Sequence, residues 1–293
     1  MGLFDALFPR RVKAAEAQSG RTVSKLSLQL LFPLLPNLDS ASLTKSLRRY
    51  HRSTTSATFD VNPESMAHGT PVAQARWGRH VIDVVGLDAP MPSSAVEFCV
   101  APAHYAQQMK AKARSHKAHI ILFYGGSEPD PFEQYAALAV VAGTLASHGA
   151  LIVCNGSART SLPASILSVD KAPDMLAIVR VLPIPLLFAG FVKLDVENVP
   201  GVWMRTYGCH LLNLPDLAAH AQDHSEGQRT LECFSNILNY LRESRAKIAP
   251  GHTMQVGENL FMKARAPRRD EPWLENPGPL LVAEFISPQQ INP

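Results

Sequence analysis

Between Asp130 and Cys154 the chain reads DPFEQYAALAVVAGTLASHGALIVC, and this stretch limits the fold more than any other. Asp130 suits a helix N-cap, and Pro131 takes the first helical position, where its missing N–H costs nothing. Glu133 completes a capping-box-like spacing. Ala136, Ala137, Leu138, Val140, Val141 and Leu145 then leave almost no polar face, so the helix predicted over 131–147 is buried all round. Gly149 closes it, and Ala150–Cys154 follows with no polar alternation, as a strand in a sheet interior does. A helix of this kind needs a large core around it. The 293 residues, 46% apolar and 18% charged, are enough to build one.

The flanking segments predict an α+β fold. Leu26–Phe32 reads as a strand, and Asp39 or Ser40 caps a helix to about His51. Ala57–Val61 and Arg79–Val85 read as strands separated by a polar Pro/Gly loop. Ser93 or Ser94 starts a long helix toward Lys117 that Pro102 can disturb, and His119–Tyr124 is a further strand ended by Gly125-Gly126. After the buried helix, Ser161 and Pro163 start a short helix to Leu167. Leu186–Val196 and Val202–Leu211 form a hairpin, Ser225–Ala246 is an amphipathic helix, and Leu280–Ile286 is the last strand. Both halves can be written β-α-β-β-α-β. The expectation is two ferredoxin-like halves, over 25–130 and 131–290, either separate or one continuous domain, forming a mixed and mainly antiparallel sheet packed by helices. Residues 1–24 form a separate amphipathic segment, either docked on the body or free to anchor it, and Ala264–Pro279 reads as a surface loop.

Charge and cysteine usage narrow the functional classes. The net charge of +3 and the scattered basic residues, with short clusters at Arg10–Lys13 and Arg265–Arg269, speak against a nucleic-acid partner. Cys99, Cys154, Cys209 and Cys233 form no C-x-x-C pair and sit in apolar runs, as free thiols of a reducing compartment do. The amino terminus lacks the apolar core of a signal peptide, and Ala6 breaks the myristoylation pattern. Pro183 and Pro185 interrupt the longest apolar run, so a cytoplasmic protein without stable membrane insertion is expected.

Several residues are candidates for chemistry. Asn155, Arg159, Thr160 and Ser161 lie in a loop before a predicted short helix, where amide groups and a guanidinium can hold an anion. Ordinary capping explains the hydroxyls equally well. His220 and His224 have metal-ligand spacing if helical, with Asp216 and Asp223 nearby, but H-A-Q-D-H lacks the glutamate that serves a zinc hydrolase as base. Cys154 ends a strand, where a nucleophile can stand, yet a buried structural thiol needs no base or elbow. Trp203 and Tyr207 can either face a partner or pack beneath the second long helix. No Walker A or dinucleotide fingerprint occurs, and no cofactor is expected.

Four segments carry a family likeness: Ala142 to Asn155, Met204-Arg205-Thr206-Tyr207-Gly208, Leu214-Pro215-Asp216-Leu217, and Ile248-Ala249-Pro250-Gly251-His252-Thr253. Together they resemble the bacterial family called domain of unknown function 4261. His252 stands where that family has an aspartate. The resemblance implies a fold and a bacterial origin, and members resemble accessory proteins of secretion and toxin-defence loci. The leading expectation is thus a non-enzymatic cytoplasmic protein that binds another protein, as a toxin-neutralising (immunity) or secretion-accessory factor. One rival is an anion-binding protein or enzyme using Asn155–Ser161 with Thr206 and His252. The other is a metal-dependent hydrolase using His220 and His224.

Overall fold

The computed structural model describes residues 26–67, 69–172 and 174–290. The amphipathic segment expected over 1–24 lies outside them. The first part of the chain runs β1 (Ser27–Phe32), α1 (Ser40–Arg48), β2 (Thr58–Val61), β3 (Val72–Trp77), β4 (His80–Leu87), α2 (Ser93–Val100), α3 (Gln107–Arg114), β5 (Ala118–Tyr124), α4 (Pro131–Ala146), β6 (Ile152–Asn155) and β7 (Thr160–Pro163). Its strands make one antiparallel sheet, ordered β2-β3-β4-β5-β1-β6-β7. The remainder runs α5 (Met175–Val181), a short helix at Ile184–Leu187, β8 (Gly190–Leu194), β9 (Val202–Tyr207), β10 (Asp216–Ala221), α6 (Gly227–Ser244), β11 (Thr253–Gly257), β12 (Leu260–Arg265) and β13 (Leu280–Ile286). The second sheet is ordered β11-β12-β13-β10-β9-β8, antiparallel except for the parallel pair β10–β13. The fold is α+β with two mainly antiparallel sheets.

The buried helix forms as its sequence demands. Asp130 accepts a hydrogen bond from Phe132 N at 2.9 Å, and every residue from Tyr135 to Leu145 is buried. This helix, α4, packs on β1, β4 and β5, on α1 and α5, and on the turn at Ala164–Leu167. Leu138, Val140, Val141 and Leu145 join one continuous core with Leu28 and Leu30 of β1, Met204 of β9 and Leu217 of β10, so both sheets share that core. Each fully buried leucine stabilises such a core by about 1.5–3 kcal/mol. The amphipathic helix α6 contributes Phe234, Ile237, Leu238 and Leu241, with Phe191 of β8 edge-on to Phe234 at 6.2 Å.

The ferredoxin-like order expected of the halves differs from the sheets found. A split β-α-β unit sets its first strand parallel to a neighbour, whereas β1 is antiparallel to both β5 and β6. Two features account for the difference. The polar segment after β2 contains β3, which makes β4 the second arm of a hairpin turned at Gly78. In addition β6 and β7, from beyond residue 130, extend the first sheet past β1. The strands divide between the sheets after Pro163, not at 130/131.

Candidate functional site

The break at Pro102 is the first element of the site. Instead of one helix to Lys117 the chain makes α2 and α3, and the link between them carries His104 and Tyr105. That link lies against β7, where the Tyr105 hydroxyl is 2.9 Å from Ser161 Oγ. Ser161 Oγ in turn donates to Cys99 O at 2.9 Å. The single Ser161 proton is therefore committed, so Tyr105 is the donor of its pair and its oxygen keeps free acceptor capacity. Burial raises the Tyr105 phenol to about 12.

The second element is the tight turn between β6 and β7. Arg159 takes a left-handed conformation there, φ 52°, which costs a non-glycine residue about 1–2 kcal/mol. Gly190 lets β8 approach the carbonyl of Ala158, where any Cβ would collide with that backbone oxygen. So positioned, the Arg159 guanidinium lies 4.2 Å from the Phe98 ring centroid and 4.0 Å from that of Tyr207. The Tyr207 ring is also covered by Arg205 at 3.9 Å. Two rings thus hold one face-on cation while its in-plane N–H groups stay available. Among the described residues no carboxylate lies within ion-pair distance of Arg159.

Arg159 stands at a cavity of about 130 Å³ that also touches Tyr105, Ser161, Leu162, Ile166, Leu186 and Phe191. Among the described residues no acidic side chain lines it. Its surroundings are cationic: His104, also in the lining, is held below the ordinary imidazole value by burial, then by Lys193 and Lys110. The rim is apolar and open to solvent, with Phe98, Ile166 and Leu186 exposed by 45%, 40% and 36%.

The other residues singled out by sequence have different places. Asn155 is buried and donates to Leu187 O at 3.0 Å, while its side chain faces the buried Tyr135 hydroxyl. Thr160 donates to Leu186 O at 3.1 Å. Residues 160–163 form a strand, and the short helix begins only at Ala164 as a single 3-10 turn, so its first amides do not adjoin 155–161, and the cation there is Arg159. Thr206 donates to Asp216 inside the core, and the cavity lining does not include it. His252 precedes β11, four strands from β9, which is about 19 Å at ordinary strand spacing. It does not meet Arg159. His220 lies in β10 and binds Pro200 O at 2.7 Å, whereas His224 lies in a separate turn and binds Asp195 at 2.8 Å. They share no helical face. Among the described residues no group of three His, Cys, Asp or Glu side chains could hold a metal. Trp203 is buried against Trp273, 6.1 Å between centroids.

A buried polar network that sequence reasoning missed supports Tyr207 from beneath. Arg205 donates to Trp273 O at 3.1 Å, Glu275 O at 3.2 Å and Asn276 Oδ1 at 2.8 Å. Asn276 donates to Asp216 Oδ2 at 2.9 Å, while Asp216 Oδ1 accepts from Thr206 at 3.0 Å and from Cys209 N at 3.1 Å. The segment expected to be a surface loop, 264–279, thus supplies the partners of Arg205 and is pinned by Arg265–Glu271 pairs at 2.7 Å. The signal available in sequence was an Arg-Thr and a Pro-Asp on adjoining strands. It became legible only once β10 was known to pair with β9.

The fold and this network define an α+β protein of two mainly antiparallel sheets, with an arginine held between aromatic rings where the sheets meet. Residues 205–282 match the model of the family described as Domain of unknown function (DUF4261). Arg205, Thr206, Asp216 and Asn276 all fall inside the matched segment, whereas Phe98, Tyr105 and Arg159 fall outside it. No curated protein and no solved structure matches the chain. Among the described residues no helix is long and apolar enough to cross a membrane.

Proposed function

We propose that this protein is a non-catalytic binding protein that receives a partner protein at the Arg159 cavity. The observation that carries the reading is a cation with no carboxylate in ion-pair range among the described residues, fixed between Phe98 and Tyr207 at the mouth of an apolar cavity. A site of this kind matches the buried core of a protein interface, where aromatic and arginine anchors surround an apolar pocket. The neighbouring hydroxyls support binding over catalysis: Thr160 and Ser161 are both tied to backbone carbonyls. The finer assignment, a toxin-neutralising or secretion-accessory protein of the bacterial cytoplasm, rests on the family resemblance.

Affinity capture from cells of the source organism tests this, using the full chain and an Ile166→Asp/Leu186→Asp variant. Charges on the rim leave the core untouched and oppose docking. The expected result is a protein retained stoichiometrically by the wild type and lost by the variant. Retention of no protein, or equal retention by both chains, would overturn the reading.

A further inference from the structure

The cavity's size and its polar groups narrow what the partner must insert. A volume of about 130 Å³ is close to the engineered cavity of about 150 Å³ that holds one benzene ring. It therefore takes one apolar side chain and no more. Arg159 offers only donors, and its planar fork suits a carboxylate held in the plane of the guanidinium. Tyr105 offers only an acceptor, because its proton is given to Ser161. A ligand that satisfies all three carries an apolar group, a carboxylate and an N–H donor within a few bonds of one another. A free fatty acid lacks the N–H. An internal aspartate or glutamate puts its carboxylate on the side chain that would have to fill the cavity. The last residue of a polypeptide has all three groups on one Cα.

We infer that the site captures the carboxyl terminus of its partner: the terminal carboxylate on Arg159, the terminal apolar side chain in the cavity between Ile166 and Leu186, and the terminal N–H on Tyr105 Oη. This rests on the protein-binding reading above and specifies the recognised group. The lysines near His104 add attraction for a negatively charged chain end without entering the cavity.

Fluorescein-labelled octapeptides of common polar body test the inference by anisotropy with the full chain. They end in Leu, Phe or Gly, each as the free acid and as the amide, with octanoate as a competitor. The Leu or Phe acid binds. Amidation weakens it by about 10-fold or more, the usual effect of losing hydrogen bonds to a charged group. Ending in Gly weakens it by about 10-fold or more, the loss of one buried side chain. Tyr105→Phe weakens the acid by about 2- to 10-fold, and octanoate does not displace it. Equal binding of acid and amide, binding of no peptide at millimolar concentration, or displacement by octanoate at the peptide's own concentration would each overturn the inference. The two proposals fail separately. A captured protein that depends on Ile166 and Leu186 but tolerates amidation of its end removes only this one, and the absence of any such protein removes the reading beneath it.

Discussion

Gly143 is the residue of α4 whose replacement should be most damaging relative to its size. It faces the turn at Ala164–Leu167, and a Cβ there would run into the Leu167 carbonyl and stand 2.6 Å from both Cε2 and the hydroxyl of Tyr50. The Tyr50 hydroxyl donates to that same carbonyl at 2.7 Å, and Tyr50 is fully buried. One methyl group therefore pushes on a backbone atom and on an occupied hydrogen bond together. Overpacking of this kind costs about 1–3 kcal/mol. Disturbing the bond costs about 0.5–1.5 kcal/mol more. Alanine returns about 1 kcal/mol through its higher helix propensity. The net for Gly143→Ala is a loss of about 0.5–3.5 kcal/mol, read as a lower urea midpoint at unchanged slope. Tyr50→Phe keeps the ring and removes the bond, so the double variant should lose less than the sum of the two. The turn also carries Ile166, so Gly143→Ala should weaken partner binding as well. If Gly143→Ala instead raises stability, propensity alone is acting, and the close packing of α4 on this turn is wrong.

Other expectations follow from particular groups. Asp216→Ala strips acceptors from Thr206, Cys209 N and Asn276 and should cost about 3–5 kcal/mol, as the loss of one partner from a buried charged network does; an equilibrium denaturation loss below about 1 kcal/mol would show that the network carries little. His116 donates from Nδ1 to Ala113 O and accepts from Met91 N at Nε2, so only its neutral form fits, and burial likewise holds His80, His104 and His148 below the usual imidazole value. The unfolded chain takes up these protons first, so stability should be flat above about pH 7.5 and fall as pH drops through about 6.5 toward the lower folded values; a melting temperature that stays level or rises between pH 7.5 and 5.5 would contradict this. Phe98→Ala removes one ring from an exposed stack and should cost about 0.5–1 kcal/mol of stability, while binding of the partner falls more steeply; loss of stability with binding intact would refute its role at the rim.

Sequence alone revealed the parts of the fold that depend on local chemistry. Asp39 and Asp130 cap helices as their positions suggest, and α6 shows its buried stripe at helical spacing. What escaped depends on pairing between distant segments. The strand β10, DLAAHA, has no β-branched residue to mark it and is a strand because β9 and β13 flank it. That is why His220 and His224 looked like one helical face. The hairpin β11–β12 alternates and turns at Asn259, φ 54°, a local signal that the sequence does carry. At the site, Arg159 was visible as a loop cation. Its importance comes from Phe98 and Tyr207, which stand on separate elements and meet it only after the sheets have folded together.

Arg159, stacked between two rings and open to an anion at its edge, is the centre of the site. Arginine-selective ¹⁵N labelling allows the Nε–Hε signal to be followed, with Arg159→Lys giving its assignment. A stacked Arg159 gives a proton signal displaced upfield by ring currents, returning toward the ordinary arginine position in Phe98→Ala, and moving again when a peptide with a free apolar carboxyl terminus is added. A signal at the ordinary position, or one that no carboxylate ligand shifts, would contradict this.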